Sequence, residues 1–460
     1  MIYKKFLKNK NKNFGNYGID VEIDELNPML FDWQKVLVKW ALKKGKAALF
    51  EDCGLGKTPQ QLEWANQIHI KTGGDILILA PLAVSKQTKE EGDKFGIKVN
   101  ICKSQDDVVP GINITNYEKL KNFDASHFIG IVLDESSILK NFAGTIKSNI
   151  IDAFIGTKYK LACSATPAPN DFIELGNHSE FLGVHTRSEM LSMFFINDAG
   201  DTGTWRLKGH VQDNLFWEWM ASWSVMITKP SDIGYDDGDF ILPKITYHEH
   251  IIKTTAKPTR GLFVEEATTL NERRQVRRET NEIRCSEAAK LINSTDDLWT
   301  VWCNLNIEGD LLSKDIEGAV QVAGANKDEV KAQRMLDFAK GKIKRIVTKP
   351  KIAGLGMNWQ ICHKAAFVGL SDSWEQFYQA VRRIYRFGQT EEVEIHIFIE
   401  EREGSVLRNI KRKEEQAQSM IAGLVVHMRE LTKKELKVNA KTETVYNPEI
   451  EMELPIWITQ

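Results

Sequence analysis

The sequence predicts an α/β protein of two tandem parallel-sheet lobes, joined by a helical linking segment and followed by a C-terminal helical extension. Two observations predict it. Short apolar runs alternate with longer stretches of helical periodicity in both halves of the chain, as in sheets whose strands are buried on both faces. In addition, 460 residues with 42% hydrophobic content are too many for one core and sufficient for two or three.

Residues 1–24 are rich in Lys and Asn and read as a solvated basic tail rather than a nucleic-acid-binding arm. The first lobe, 25–176, carries strand candidates at 47–50, 75–80, 112–115, 128–133 and 159–163, with helices such as 58–70 and 84–95 between them. Residues 177–245 pattern largely as helix, and Trp205, Trp217, Trp219 and Trp223 are assigned to its core rather than to base-stacking platforms. The second lobe, 246–400, has strand candidates at 299–303, 319–322, 344–348, 365–370 and 393–399 and helices near 326–340 and 373–386. In 401–460, Ile410, Ala417, Met420, Ile421, Leu424 and Val425 recur at helical spacing, so a charged helix over about 404–437 is expected to pack back as a brace.

A net charge of −2 excludes a basic coat protein, so any nucleic-acid track must be local. Cys53, Cys102, Cys163, Cys285, Cys303 and Cys362 show neither C-x-x-C pairing nor His at metal-ligand spacing; a reducing cytosol and no structural zinc are expected. No run of apolar residues is long enough to span a membrane, and MIYKKFLKNKNKN has no apolar stretch after its lysines. The expectation is a cytoplasmic monomer with no membrane partner, free of internal sequence repeats and low-complexity tracts.

Chemistry enters at Glu51-Asp52-Cys53-Gly54-Leu55-Gly56-Lys57-Thr58. An apolar strand, a Gly-rich turn and a helix in that order form a phosphate cradle. Gly54 and Gly56 let backbone N–H groups around Leu55 approach a phosphate at a helix N-terminus, Lys57 reaches β- and γ-phosphates, and the Thr58 hydroxyl suits Mg²⁺. The strict G-x-x-x-x-G-K-[ST] pattern fails at its first position, which is Glu51. Further on, Phe128–Leu133 is an apolar run ending in Asp134 and Glu135, two carboxylates at the carboxyl edge of a buried strand. One can hold Mg²⁺ while the other orients and polarises an attacking water.

LFDWQ (30–34), EDCGLGKT (51–58), LILAPLAVSKQ (77–87), INITNYEKL (112–120), VLDESSILKN (132–141) and LACSATPAPN (161–170) resemble the first-lobe motifs of superfamily-two helicases. Within that superfamily they are similar to the Swi/Snf-type DNA translocases. KIAGLGMNWQ (351–360) and QAVRRIYRFGQ (379–389) resemble the last two motifs of the second lobe, and LPKITYHEH (242–250) looks like the crossover between lobes.

The resemblance covers roughly 26–400 and implies two RecA-like lobes that hydrolyse ATP with Mg²⁺ between them and move along duplex or branched DNA. It implies that Gln34 reads the adenine edge, the alternative being an exposed helix Gln. It also implies that Gln379, Arg383 and Arg386 lie on one helix whose arginines meet the γ-phosphate. Pro81, Ser85, Lys86, Thr115, Asn116, Lys351, Gly354, Gly356 and Asn358 become phosphate-contact candidates that read no sequence, each singly open to a plain loop or cap role.

Departures qualify the match. Ser136-Ser137 replace the His or Gln that usually follows the acidic pair, Pro350-Lys351 stand where a Ser/Thr is usual, and Arg382 replaces an acidic residue, which makes it a candidate nucleic-acid contact. The absence of long insertions and appended modules gives a minimal motor, for which a bacterial or phage origin is the expectation. Two rivals remain open. Ser164-Ala165-Thr166 has the form common in RNA helicases, and an idle ATP-binding recruitment scaffold would keep the loop without turnover. A GTP switch is discounted because Asn326-Lys327-Asp328-Glu329 ends in Glu rather than Asp.

Overall fold

The computed structural model describes residues 15–81, 84–140, 145–168, 171–197, 205–208, 215–253, 278–353, 357–371 and 373–439. Gly354 and Gly356, most of the basic tail and the end of the C-terminal extension lie outside them.

The first half of the chain builds α1 (Asp32–Lys44), β1 (Lys46–Glu51), α2 (Lys57–Thr72), β2 (Ile76–Ala80), α3 (Ser85–Lys94), β3 (Val99–Ile101), β4 (Ile112–Asn116), β5 (Gly130–Asp134), α4 (Thr145–Ala153) and β6 (Tyr159–Ser164). It continues through α5 (Leu175–Leu182), α6 (Arg187–Phe194), β7 (Phe195–Asn197), β8 (Trp205–Leu207), α7 (Leu215–Trp223) and β9 (Ser224–Ile227). Seven strands form one sheet in the order β3-β4-β2-β5-β6-β1-β9, every pair parallel. Strands β2, β5 and β6 are buried at every position because helices cover both faces, which is why they are mainly apolar; Lys160 on β6 is an exception, its buried ammonium donating to the Phe181 carbonyl at 2.8 Å. Two hydrophobic clusters, one per face, centre on Trp40 and Trp64 and on Phe181 and Trp223.

The segment 177–245, expected as a helical link, is partly sheet. Its β9 lies beside β1 with Leu49 opposite Val225 and Phe50 opposite Met226, so the first sheet is completed from there. A four-residue apolar run directly after a helix cannot be told from another helical turn by periodicity. Trp217, Trp219 and Trp223 are buried among Phe181, Phe194 and Phe216, which is core packing. Trp205 sits half-buried on the small antiparallel pair β7–β8.

The second half builds β10 (Ile245–Ile252), α8 (Asn281–Asn293), β11 (Trp299–Cys303), α9 (Asn306–Asp315), β12 (Ala319–Val322), α10 (Asp328–Ala339), β13 (Arg345–Thr348), α11 (Pro350–Ala353), β14 (Lys364–Val368), α12 (Trp374–Val381), β15 (Val393–Glu400) and α13 (Gly404–Asn439). Six strands form a parallel sheet in the order β10-β15-β14-β11-β13-β12. The stretch read as a crossover is itself the edge strand β10, paired along its whole length with β15. Helix α13 contributes Val406, Leu407, Ile410 and Ala417 to the second lobe's core and Leu424, Val425 and Met428 to the first lobe's. Among the described residues no helix is long and apolar enough to cross a membrane.

Helix α12 is shorter than expected. It stops at Val381 instead of running to Arg386, because the N–H groups of Arg383 and Ile384 tighten to i−3 carbonyls and the Arg383 carbonyl is taken by Trp359 N–H at 2.9 Å. Gln379 is therefore helical, while Arg383 and Arg386 project from the turn that follows.

Candidate active site

Strand β1 delivers Glu51 to the carboxyl edge of the first sheet, and the chain turns through Asp52–Gly56 into α2. Gly54 (φ +91°) and Gly56 (φ +77°) occupy left-handed backbone that L side chains rarely adopt. Neither has room for a Cβ. One on Gly56 would lie 2.4 Å from Gln34 Nε2, and one on Gly54 would lie 2.7 Å from the Phe387 amide of the second lobe.

Gln34, only 3% exposed, is no surface glutamine. Its Nε2 donates to the Leu55 carbonyl at 2.9 Å and its Oε1 accepts the Phe31 amide at 3.1 Å, which ties α1 to the loop. Lys57 Nζ curls over the turn, donating to the carbonyls of Glu51 (2.9 Å) and Asp52 (3.0 Å). Thr58 follows in the first turn of α2, half-buried. Glu51 is fully buried and accepts Gln60 Nε2 at 2.8 Å; burial pushes its carboxyl up to about 7 against the opposing pull of Lys57.

Strand β5 places the acidic pair beside this loop. Asp134 Oδ1 accepts Gln61 Nε2 at 2.9 Å, and its carbonyl accepts the Tyr117 hydroxyl at 2.6 Å. Burial and the neighbouring Glu135 charge hold the Asp134 carboxyl above the usual range, opposed by Gln61, Lys57 and Arg383. Among the described residues Glu135 is the one non-glycine with positive φ, at 57°. Its Oε2 is buried without a hydrogen-bond partner, a strained and unsatisfied arrangement of the kind found where chemistry is done. The next residue, Ser136, contacts His178 Nε2 through its hydroxyl at 3.1 Å, and burial drives that imidazole down to about 4, which keeps it neutral. Thr166 Oγ1, after β6, is also buried without a partner.

The second lobe supplies two guanidinium groups. Arg383 is 3% exposed and donates to the Gln379 carbonyl (2.9 Å) and the Met357 carbonyl (3.3 Å); Arg386 donates to the same Met357 oxygen at 3.2 Å. Burial, then the Arg383 charge, presses the Arg386 guanidinium below its ordinary pKa, with Cys53 and Glu135 among the groups that oppose this. Lys57, Asp134, Glu135, Arg383 and Arg386 thus share one electrostatic environment, assembled from both sheets.

Arg382 belongs to the same interface and not to a nucleic-acid surface. Its Nη2 lies 2.9 Å from Asp52 Oδ2, and Tyr378 donates its hydroxyl to Asp52 Oδ1 at 2.5 Å. Burial opposes the Arg382 charge, but Asp52 and Tyr378 outweigh it and raise its pKa. Neither Asp52 nor Tyr378 is singled out by the sequence, whose only hint is the oddity of Arg382. Phe387 stacks on Phe240 at 4.7 Å and meets Phe31 edge-on at 6.1 Å, a second seam between the lobes.

A cleft of about 830 Å³ between the lobes is lined by Pro81, Glu135, Lys351 and Gln379 among others. Three of its lysines are paired: Lys140 with Glu375, Lys147 with Glu180 and Lys331 with Asp328. The other described phosphate-contact candidates, Ser85, Lys86, Thr115, Asn116 and Asn358, do not line this cleft. Asn116 accepts the Lys119 amide at 3.1 Å as a helix cap, Thr115 and Ser85 are buried, and Lys86 is half-buried on α3. Asn358 N–H donates to Gln87 Oε1 at 3.0 Å, another bond across the lobes.

Comparison of the chain with protein-family models and with curated proteins matched nothing.

Proposed function

We propose that this protein is an ATP-driven DNA translocase or helicase of the superfamily-two type, with two RecA-like lobes that hydrolyse ATP at their interface. The observation that carries the reading is the convergence of Arg383 and Arg386 from one lobe on the Gly54–Lys57 loop and the Asp134–Glu135 pair of the other.

The residues present fit ATP and Mg²⁺. Gly54 and Gly56 let the loop take its left-handed turns, Lys57 makes only replaceable carbonyl contacts, and the orphaned Glu135 Oε2 is a buried acceptor suited to a water. Thr58 and Asp134 would be the oxygen ligands for Mg²⁺, which when bound would neutralise charge on the phosphates. Lys57 holds the terminal phosphates, Glu135 orients and deprotonates water, and Arg383 and Arg386 stabilise negative charge as it spreads over the transferred group. Gln34 retains one Nε2 hydrogen for an adenine edge while it steadies the loop.

Duplex DNA is the proposed track, contacted through phosphates in the interlobe cleft near Pro81 and Lys351. The test is ATP turnover with duplex DNA, single-stranded DNA, RNA and no polymer. Stimulation by duplex DNA, abolished in Lys57→Ala and Glu135→Gln, is the expected result. Stimulation by RNA alone would replace the track by RNA, and turnover at wild-type rates in both variants would remove the ATPase assignment.

A further inference from the structure

Three histidines and a glutamate gather on one face of the second sheet, the face opposite α12. His248 and His250 alternate along β10, and Glu394 and His396 along β15, with His248 directly opposite His396 in the parallel register. Donor atoms of His248, Glu394 and His396 all lie within 4.8 Å of one another. The His248 and His396 rings stack at 4.6 Å, and His396 Nε2 is 3.4 Å from Glu394 Oε2. The second nitrogen of His396, Nδ1, meets His250 Nε2 at 3.0 Å.

We infer that His248, Glu394 and His396 form a binding site for a first-row divalent metal ion of the zinc class, with His250 as the positioning residue that fixes the His396 tautomer. Two imidazoles and one carboxylate form a borderline donor set that suits Zn²⁺. Zinc-to-nitrogen bonds of about 2.0–2.1 Å put tetrahedral ligands roughly 3.3 Å apart, so closing the site requires the stacked imidazoles of His248 and His396 to turn out of their parallel arrangement until both ring nitrogens face one ion. A metal-bound imidazole ordinarily has its other nitrogen hydrogen-bonded, which is the role His250 fills. Glu394 is available as well: Lys364, 3.9 Å from it, is engaged more closely by Asp297 at 2.7 Å. Three protein donors leave a fourth position to water. Because β10 is an edge strand, the ion would clip the first strand of this sheet to β15.

The four residues come from H-x-H and E-x-H pairs separated by more than a hundred residues, so the spacing rules that dismissed the cysteines had no means of joining them. The experiment is titration of chelator-treated, dialysed full-length protein with Zn²⁺ by calorimetry and with Co²⁺ by visible absorption. One ion per chain is expected, with the intense ligand-field bands of low-coordinate Co²⁺. His248→Ala, Glu394→Gln and His396→Gln should lose the ion, His250→Phe should weaken it by about 10–100-fold, and Glu392→Gln should leave it unchanged. Melting of each variant without metal separates failure to fold from failure to bind, and in folded protein Zn²⁺ should raise the midpoint of the wild type but not of the ligand variants. Absence of stoichiometric binding in the wild type would overturn the inference. So would full binding by folded His248→Ala or His396→Gln.

Discussion

Removing Arg382 should loosen the closed arrangement of the lobes, and the size of the effect follows from its contact with Asp52. The charges are 2.9 Å apart, and the side chains are 17% and 20% exposed. At an effective dielectric near 20 the bare attraction is about 6 kcal/mol, most of which desolvation offsets. In Arg382→Ala the Asp52 carboxylate still accepts the Tyr378 hydroxyl and the Cys53 amide, so it is not orphaned. A net loss near the lower end for a charged hydrogen bond follows, about 2 kcal/mol, or roughly 30-fold in the ratio of closed to open lobes. Small-angle scattering should show expansion of Arg382→Ala, with a parallel fall in turnover at saturating ATP. Asp52→Asn should do the same, and the double variant should be little worse than either alone. Additive losses would mean that the two side chains do not act through each other, and an unchanged scattering profile would mean that they do not hold the lobes.

Arg386→Ala should lower turnover by about 10³-fold or more while nucleotide and DNA affinity stay near wild type; turnover preserved at saturating DNA would show that the guanidinium does not serve the γ-phosphate. Glu51→Gln should stabilise the protein above neutrality. The native carboxyl titrates near 7 against 4.5 when unfolded, so folding is favoured below about pH 4.5 and about 3 kcal/mol is lost as pH rises through 7. Melting from pH 5 to 8 should therefore fall less in Glu51→Gln than in wild type, and equal slopes would contradict the buried-carboxyl account. Gly56→Ala should add about 1–2 kcal/mol of backbone strain and push Gln34 from the loop, seen as weakened binding of a fluorescent ATP analogue; retained affinity would indicate that this loop tolerates a side chain.

Both sheets were largely legible because a strand buried on both faces is mainly apolar, and Ile76–Ala80, Tyr159–Ser164 and Trp299–Cys303 announce themselves that way despite Lys160 and Thr300. Val99–Ile101 and Ser224–Ile227 were not, being short runs whose pairing depends on partners distant in sequence. At the candidate site, the residues with a fixed chemical signature, namely the glycines, Lys57, the carboxylate pair and the arginines, could be picked out from the sequence, and the structure brings them near one another. Asp52, Gln61, Tyr117 and Tyr378 were not, because each acts through a tertiary neighbour and none has an unusual local context. The end of α12 at Val381 was equally hidden, since it is set by the Trp359 amide from another segment.

Helix α13 restricts what motion the lobes can make. Its Val406–Ala417 stretch is anchored in the second lobe's core and its Leu424–Met428 stretch in the first lobe's, so the two anchors are only about 10 Å apart along one helix. Pulling the lobes apart would expose one set of side chains at roughly 2 kcal/mol each, which makes wide separation unfavourable. Rotation about the intervening stretch of nearly two turns breaks neither anchor. That segment holds Gly423, whose Cβ position faces open space, and borders a cavity of about 370 Å³ lined by Gln418, Ile421 and Ala422 together with Asp52, Tyr378 and Arg382. Close-packed interiors resist displacement, and a void beside a helix is where resistance is least. The Asp52–Arg382 pair sits at that void. Release of the pair therefore permits a pivot about the middle of α13, and the relative movement open to the lobes is a hinge of small amplitude and not a full opening.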